Sequence, residues 1–339
     1  MEALTRFSRR QILAMSASAG CLAIESTFRG AFAQGAKKIE QYAPELEQVL
    51  STAEPVQELA SGTGGALGPT EGPVWWKDGS YLLYSDIHNS RRMKYTPGQG
   101  TLVFAEPTNR ANGLTRDLQG RLLACEHDSR RVTRQEADGS ITVLANSFQG
   151  RRLNRPNDVV VKSDGSIYFT DPWSSPLPRE QWDLTFSGVY RLSADLGTLT
   201  LLLDDMVFPN GLAFSPDEAL LYIVDSGLTH GGPAHIRVFE VANGKLRKGR
   251  VFAEDFAPGF TDGMRVDMKG NIWCSMGWAD PTEDGVRCYA PDGDLIGQVH
   301  LPETCANVCF GGKKRNRLFI AASTSIYALY LDIQGAQLP

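Results

Sequence analysis

The chain has 339 residues, 42% hydrophobic and 22% charged, with 34 Lys and Arg against 39 Asp and Glu for a net charge of −5. No basic stripe or aromatic-basic interleaving runs along it, which speaks against nucleic acid as a partner. The one N-terminal apolar stretch is too short to span a bilayer, and the length suits one long β domain.

The first segment reads as an export signal. Ser8-Arg9-Arg10-Gln11-Ile12-Leu13 is a twin-arginine pattern, Ile12 to Ile24 is mildly apolar, and Ala31-Phe32-Ala33 is a small-x-small cleavage site. The expectation is a signal over 1–33, handled by the twin-arginine export machinery, and a mature chain that is periplasmic or secreted with no stable membrane anchor. Cys21 follows Ala19-Gly20, but Ser18 stands where a lipoprotein signal wants an aliphatic residue. Removing 1–33 takes away four basic and two acidic residues and leaves 30 basic against 37 acidic. Cys125, Cys274, Cys288, Cys305 and Cys309 remain. An odd count with no Cys-x-x-Cys pair is unlike a disulfide framework or a zinc site.

A lead-in over 34–55 precedes a repeat. The repeat opens at Glu71-Gly72-Pro73, Asn112-Gly113-Leu114, Asn157-Asp158-Val159, Asn210-Gly211-Leu212, Asp262-Gly263-Met264 and Asn307-Val308-Cys309, in steps of 41, 45, 53, 52 and 45 residues. After each opening come a short apolar run, a turn and a second run, as in VKSDGSIYF, FSPDEALLYIV and VDMKGNIWC. The runs are short and β-rich rather than spaced at 3.6 residues. The DG, KG and PD pairs supply the backbone angles that hairpins need. Strand-turn-strand units with a period of roughly 40–50 residues are propeller blades. The predicted fold is all-β, a six-bladed β-propeller over 56–339. Its sixth unit ends early at Ser325–Leu331, so Val56-Gln57-Glu58-Leu59 is predicted to supply that blade's outer strand and close the ring.

Two inserts stand out. Asp171 to Gly188 is long for a hairpin connection and carries Trp173 and Trp182, which either wall a pocket or pack on the rim. The Gly-rich stretch Asp225 to His235 is placed at the same opening. His127, in Cys125-Glu126-His127-Asp128, is either a substrate contact or proton relay at the pocket mouth, or a loop histidine. His88, His230, His235 and His300 read as structural or solvent-facing.

Residues at one register of a propeller's inner strands converge at one end of the axis. Here they are Glu71, Asn112, Asn157, Asn210, Asp262 and Asn307. Two carboxylates with several carboxamides, without thiolate or imidazole, form the oxygen set that a hard divalent cation prefers. Ca²⁺ is the first expectation; Mg²⁺, Mn²⁺ and Zn²⁺ are compatible. The competing reading is that Asn or Asp before Gly serves only turns.

The segments Glu71-Gly72-Pro73-Val74-Trp75, Arg155-Pro156-Asn157-Asp158, Pro209-Asn210-Gly211-Leu212 and Thr261-Asp262-Gly263-Met264 resemble the gluconolactonase and regucalcin (senescence marker protein) family, related to phosphotriesterase and paraoxonase propellers. The resemblance covers nearly all of roughly 60–335. It implies that Glu71, Asn157, Asn210 and Asp262 hold one divalent cation, that Asp262 is also the proton donor or acceptor, and that Arg155 contacts substrate oxygens. Asn112, Asn307 and His127 are then expected near substrate or water. The implied activity is hydrolysis of a sugar lactone. Alternatives are another lactone, a phosphotriester, or a binding propeller without catalysis. A direct nucleophilic role for Asp262 is a further alternative.

Overall fold

In a computed structural model of the chain, describing residues 37–65, 68–173, 178–278 and 281–337, the repeat closes into a ring of six antiparallel sheets. The inner strands are Thr70–Trp76, Ala111–Arg116, Val159–Val161, Pro209–Phe214, Met264–Val266 and Cys305–Gly311. The turns explain why these segments pair. In blade three Lys162 N–H donates to Ser166 O at 2.9 Å and Gly165 N–H to Lys162 O at 2.8 Å, while Asp164 Oδ1 accepts Ser166 N–H at 2.8 Å. Gly165 sits at φ +86°, a region that glycine enters without penalty. Asp267 to Asn271 repeats the arrangement in blade five.

Ring closure follows the sequence expectation. Gln57–Ser61 pairs antiparallel with Ser325–Tyr330 and completes blade six. The lead-in does more than expected. Lys38–Gln41 adds a fifth strand to blade five by pairing with Leu295–His300, and Glu40 meets His300 Nε2 at 2.9 Å. Leu46, Val49 and Leu50 are then buried with Trp273, Val286 and Val299 between blades five and six. Burial of each such side chain contributes roughly 1.5–3 kcal/mol. No local pattern reveals this docking, because the partner strand lies more than 250 residues away.

The openings of the repeat sit at irregularities in the inner strands. Pairing shifts register between Glu71 and Val74, between Ala111 and Leu114, and between Pro209 and Leu212. A bulge of this kind re-aims side chains, and it falls at Glu71, Asn112 and Asn210; in blades three and five Asn157 and Asp262 stand just before the inner strand begins. The following glycine has a separate purpose. Gly113 N–H donates to Asn157 O at 2.8 Å, Gly211 N–H to Asp262 O at 3.0 Å and Gly263 N–H to Ala306 O at 2.7 Å. Each links one blade to the next. A Cβ at Gly211 would lie 2.5 Å from Asp262 O, and one at Gly263 would lie 2.1 Å from Asn307 Cγ. Asn-Gly is thus a blade-joining device rather than a simple turn.

All five cysteines among the described residues are unpaired thiols buried in the sheets. Burial raises each thiol pKa above its ordinary range, to about 12 for Cys274 and Cys309. They act as small core residues. Among the described residues no helix is long and apolar enough to cross a membrane. The twin-arginine pattern, the cleavage site and Cys21 lie outside the described residues.

Candidate active site

The strand openings bring Glu71, Asn112 and Asn210, at bulges, and Asn157 and Asp262, two residues before their strands begin, to one cavity of about 230 Å³, together with Arg155 and His127. Asn307 departs from expectation. It does not line the cavity but is 1% exposed beneath it. Its Nδ2 donates to Glu71 Oε2 at 2.9 Å, and its Oδ1 accepts Val308 N–H at 2.8 Å. Both ends of the carboxamide are engaged below the cavity floor, so Asn307 fixes Glu71 rather than facing substrate. Gly72 N–H supplies a second donor to Glu71 Oε2 at 2.6 Å.

The carboxylates raise one another's pKa through burial and mutual repulsion. Burial, then the charge of Asp158, raises Glu71 to about 7, against the opposing pull of Gly72 N–H, Asn307 and Arg265. Burial, then the charges of Glu71 and Asp158, holds Asp262 well above the ordinary carboxylate range. Asp158 was not singled out from sequence. It is 1% exposed, and Arg265 Nη1 lies 3.4 Å from its Oδ2. Asp158 and Arg265 are 107 residues apart and meet only on the propeller axis. Three buried carboxylates therefore surround the axis, and one of them is paired with the buried guanidinium of Arg265. The two left over match the charge of one divalent ion.

The neutral donors fit the same ion. Asn210 Nδ2 donates to Ser226 Oγ at 3.1 Å, which leaves its Oδ1 as the available acceptor. The Asn157 carboxamide lines the cavity and takes no hydrogen bond among the described residues. Among those residues no three His, Cys, Asp or Glu side chains cluster as ligands, so a cation here would draw on carboxamides as well as carboxylates. Glu71, Asn157, Asn210 and Asp262 are the residues able to hold it.

The rest of the cavity has two characters. Blades two and three contribute the polar residues Asn112, His127 and Arg155; blades four and five contribute Phe208, His230, Phe260 and Trp278. His230, read from sequence as structural or solvent-facing, stacks on Phe208 at 4.8 Å and lines the cavity. Phe260 stacks on Trp278 at 4.6 Å and 7°. Trp173 and Trp182 do not line the cavity; Trp173 meets His230 edge-on at 6.0 Å and Trp182 is buried. The insert Asp225 to His235 does flank the opening, through Ser226, Thr229 and His230. One signal for these walls was present in the sequence. Pro69, Arg155, Phe208 and Phe260 each stand two residues before an axial residue, and all four line the cavity. Side chains two apart on an extended strand share a face.

Residues 69–324 match the model of the SMP-30/gluconolactonase/LRE-like region. The chain belongs to that family. Among its relatives, a gluconolactonase from Zymomonas mobilis is 30% identical over 95% of this chain and 96% of its own length. A pentonolactonase from Haloferax volcanii is 30% identical over 75% of this chain and 81% of its own. The solved structure of a gluconolactonase from Xanthomonas campestris superposes with a TM-score of 0.78 at 33% identity, covering 88% of this chain and 96% of that one. A calcium-binding regucalcin from Agrobacterium tumefaciens shares the fold, with a TM-score of 0.66 at 20% identity over 83% of this chain and 97% of that one. As a member of the SMP-30/gluconolactonase/LRE-like family, the chain is a six-bladed propeller of the lactonase type.

Proposed function

We propose that the chain is a metal-dependent hydrolase of carboxylic ester bonds that opens a sugar lactone, with gluconolactone the first candidate. The observation that carries this reading is the meeting of Glu71 and Asp262 with Asn157 and Asn210, from four blades, on one cavity. Its relatives named gluconolactonase and pentonolactonase support the substrate class. A divalent ion held by these four residues would supply Lewis-acid polarisation of the lactone carbonyl and acidify a water.

The chain's own groups do the rest. Glu71 is locked by Gly72 N–H and Asn307, so it serves as a ligand and not as a mobile base. Asp262 has its backbone held by Ser275 Oγ at 3.1 Å, which leaves the carboxylate to take the proton of the attacking water or return it to the ring oxygen. Arg155 offers N–H donors to substrate oxygens. The aromatic wall from Phe208, Phe260 and Trp278 packs the C–H face of a ring and limits water.

The test is hydrolysis of glucono-δ-lactone by protein reconstituted with Ca²⁺, Mg²⁺ or Mn²⁺, read as acid release. Turnover should be lost with chelator and return when metal is added. Absence of metal-dependent turnover on sugar lactones, acyl lactones and a phosphotriester alike would leave a binding propeller as the better reading.

The Ser8-Arg9-Arg10 pattern supports export of the folded chain to the periplasm. Changing Arg9 and Arg10 to lysine should retain the protein in the cytoplasmic fraction; unchanged fractionation would remove the export reading.

A further inference from the structure

The polar wall contains a donor–acceptor conflict. Arg155 Nη2 lies 3.0 Å from His127 Nδ1, and Asn112 Nδ2 lies 3.3 Å from His127 Nε2. A guanidinium has only N–H donors, so Nδ1 must offer its lone pair. A neutral imidazole with Nδ1 bare carries its hydrogen on Nε2. Protonating both nitrogens would aim an N–H at the guanidinium, in a ring that is only 8% exposed. Burial, then the charges of Arg155 and Arg110, holds the imidazole pKa well below its ordinary range. The ring is therefore neutral, and Nε2–H requires an oxygen opposite it.

Asn112 Oδ1 is buried and has no hydrogen-bond partner among the described residues. The nitrogen and oxygen of a carboxamide occupy nearly the same space, and their placement follows from the hydrogen bonds they can make. A half-turn about the last torsion of Asn112 settles both problems. Nε2–H then donates to Oδ1, and Nδ2 becomes the carboxamide's unspent donor on the cavity wall.

We propose that His127, as the neutral Nε2–H tautomer, is a positioning residue that orients Asn112 and Arg155 as a pair of N–H donors for a substrate oxygen. His127 accepts from one partner and donates to the other, so it sets the orientation of both. Asn112 is then a donor to substrate and not a ligand of the cation. Donors held in advance where negative charge develops are worth about 10²–10³ in rate each. Which oxygen they receive rests on the lactonase reading; the tautomer does not.

Nitrogen chemical shifts of ¹⁵N-histidine-labelled protein at pH 7 test the tautomer, with His127→Gln assigning the signal. A bare Nδ1 and a protonated Nε2 are expected. An Nδ1–H tautomer or an imidazolium would overturn the proposal whether or not any lactone is hydrolysed. Asn112→Asp tests the donor, since an aspartate still accepts from Nε2–H but offers no N–H. It should keep the His127 signal while lowering kcat by roughly 10²–10³-fold, with a smaller change in KM. Unchanged kcat would remove Asn112 from the donor pair. Failure of the wild-type protein to open any lactone would count against the proposed function and leave the tautomer result to stand on its own.

Discussion

Asp262→Asn is expected to lower kcat/KM on glucono-δ-lactone by about 10²–10⁴-fold while the protein stays folded. The range is that of a lost general acid or base, about 3–5 kcal/mol of transition-state stabilisation. The substitution keeps size and shape and removes only the charge and the basic oxygen. The surrounding backbone does not depend on the side chain: Asp262 N–H donates to Ser275 Oγ at 3.1 Å, and Asp262 O accepts Gly211 N–H at 3.0 Å. In metal-free protein the variant should melt no lower than the parent, because a carboxylate buried beside Glu71 and Asp158 is a liability without a cation. Steady-state kinetics with circular-dichroism melting decides the matter. Activity within tenfold of the parent would show that Asp262 does not handle the proton.

Metal removal should make stability fall with rising pH across the range where the unfolded carboxylates have already ionised. Glu71 titrates at about 7 in the folded protein against 4.5 in an unperturbed glutamate. The folded state thus holds this proton more tightly than the unfolded chain. Below pH 4.5 both states are protonated and no penalty exists. Between pH 4.5 and about 7 the unfolded chain has released the proton and the folded protein has not, so stability declines. Above pH 7 the loss levels off, at on the order of 3 kcal/mol for Glu71. Asp262 adds to the decline in the same direction. A bound divalent ion favours the ionised forms and should abolish this part of the slope. Asp171 provides an internal control. Burial raises it to about 8, and its Oδ2 accepts Asn154 N–H at 2.8 Å away from the cation donors. Its own slope should persist with metal present. Denaturant titrations at pH 5, 6, 7 and 8, with chelator and with calcium, give the measurement. Identical pH slopes in the two series would mean that Glu71 and Asp262 do not share a cation.

The architecture was legible because each blade writes its own strand-turn-strand signal. Asp164-Gly165 and Lys269-Gly270 each make a hairpin from residues next to one another, so turn chemistry alone locates them. The axial residues were legible for a related reason. A ring of equivalent units places equivalent positions at equivalent radii, so recurrence of Glu, Asn and Asp at one register gathered six residues, Asn112 and Asn307 among them, and the family resemblance narrowed these to Glu71, Asn157, Asn210 and Asp262. Ring closure by Gln57–Ser61 followed from counting strands in the last unit.

Other features depend on groups that no local period connects. Asn307 occupies the same register as the axial donors yet turns to Glu71, because the close approach at Gly263 leaves its carboxamide packed against the neighbouring blade. Asp158 finds Arg265 across the axis, and Lys38–Gln41 finds the edge of blade five. His230 and Trp278 reach the cavity because the loops that carry them fold inward onto Phe208 and Phe260. The sequence by itself determined the number of blades, the closing strand and the register at which oxygen-bearing residues recur, since all three follow from the chain's own period. Only the tertiary structure decided which donors face the cavity, how their charges are offset and which walls surround them, since those depend on distances across the ring rather than along the chain.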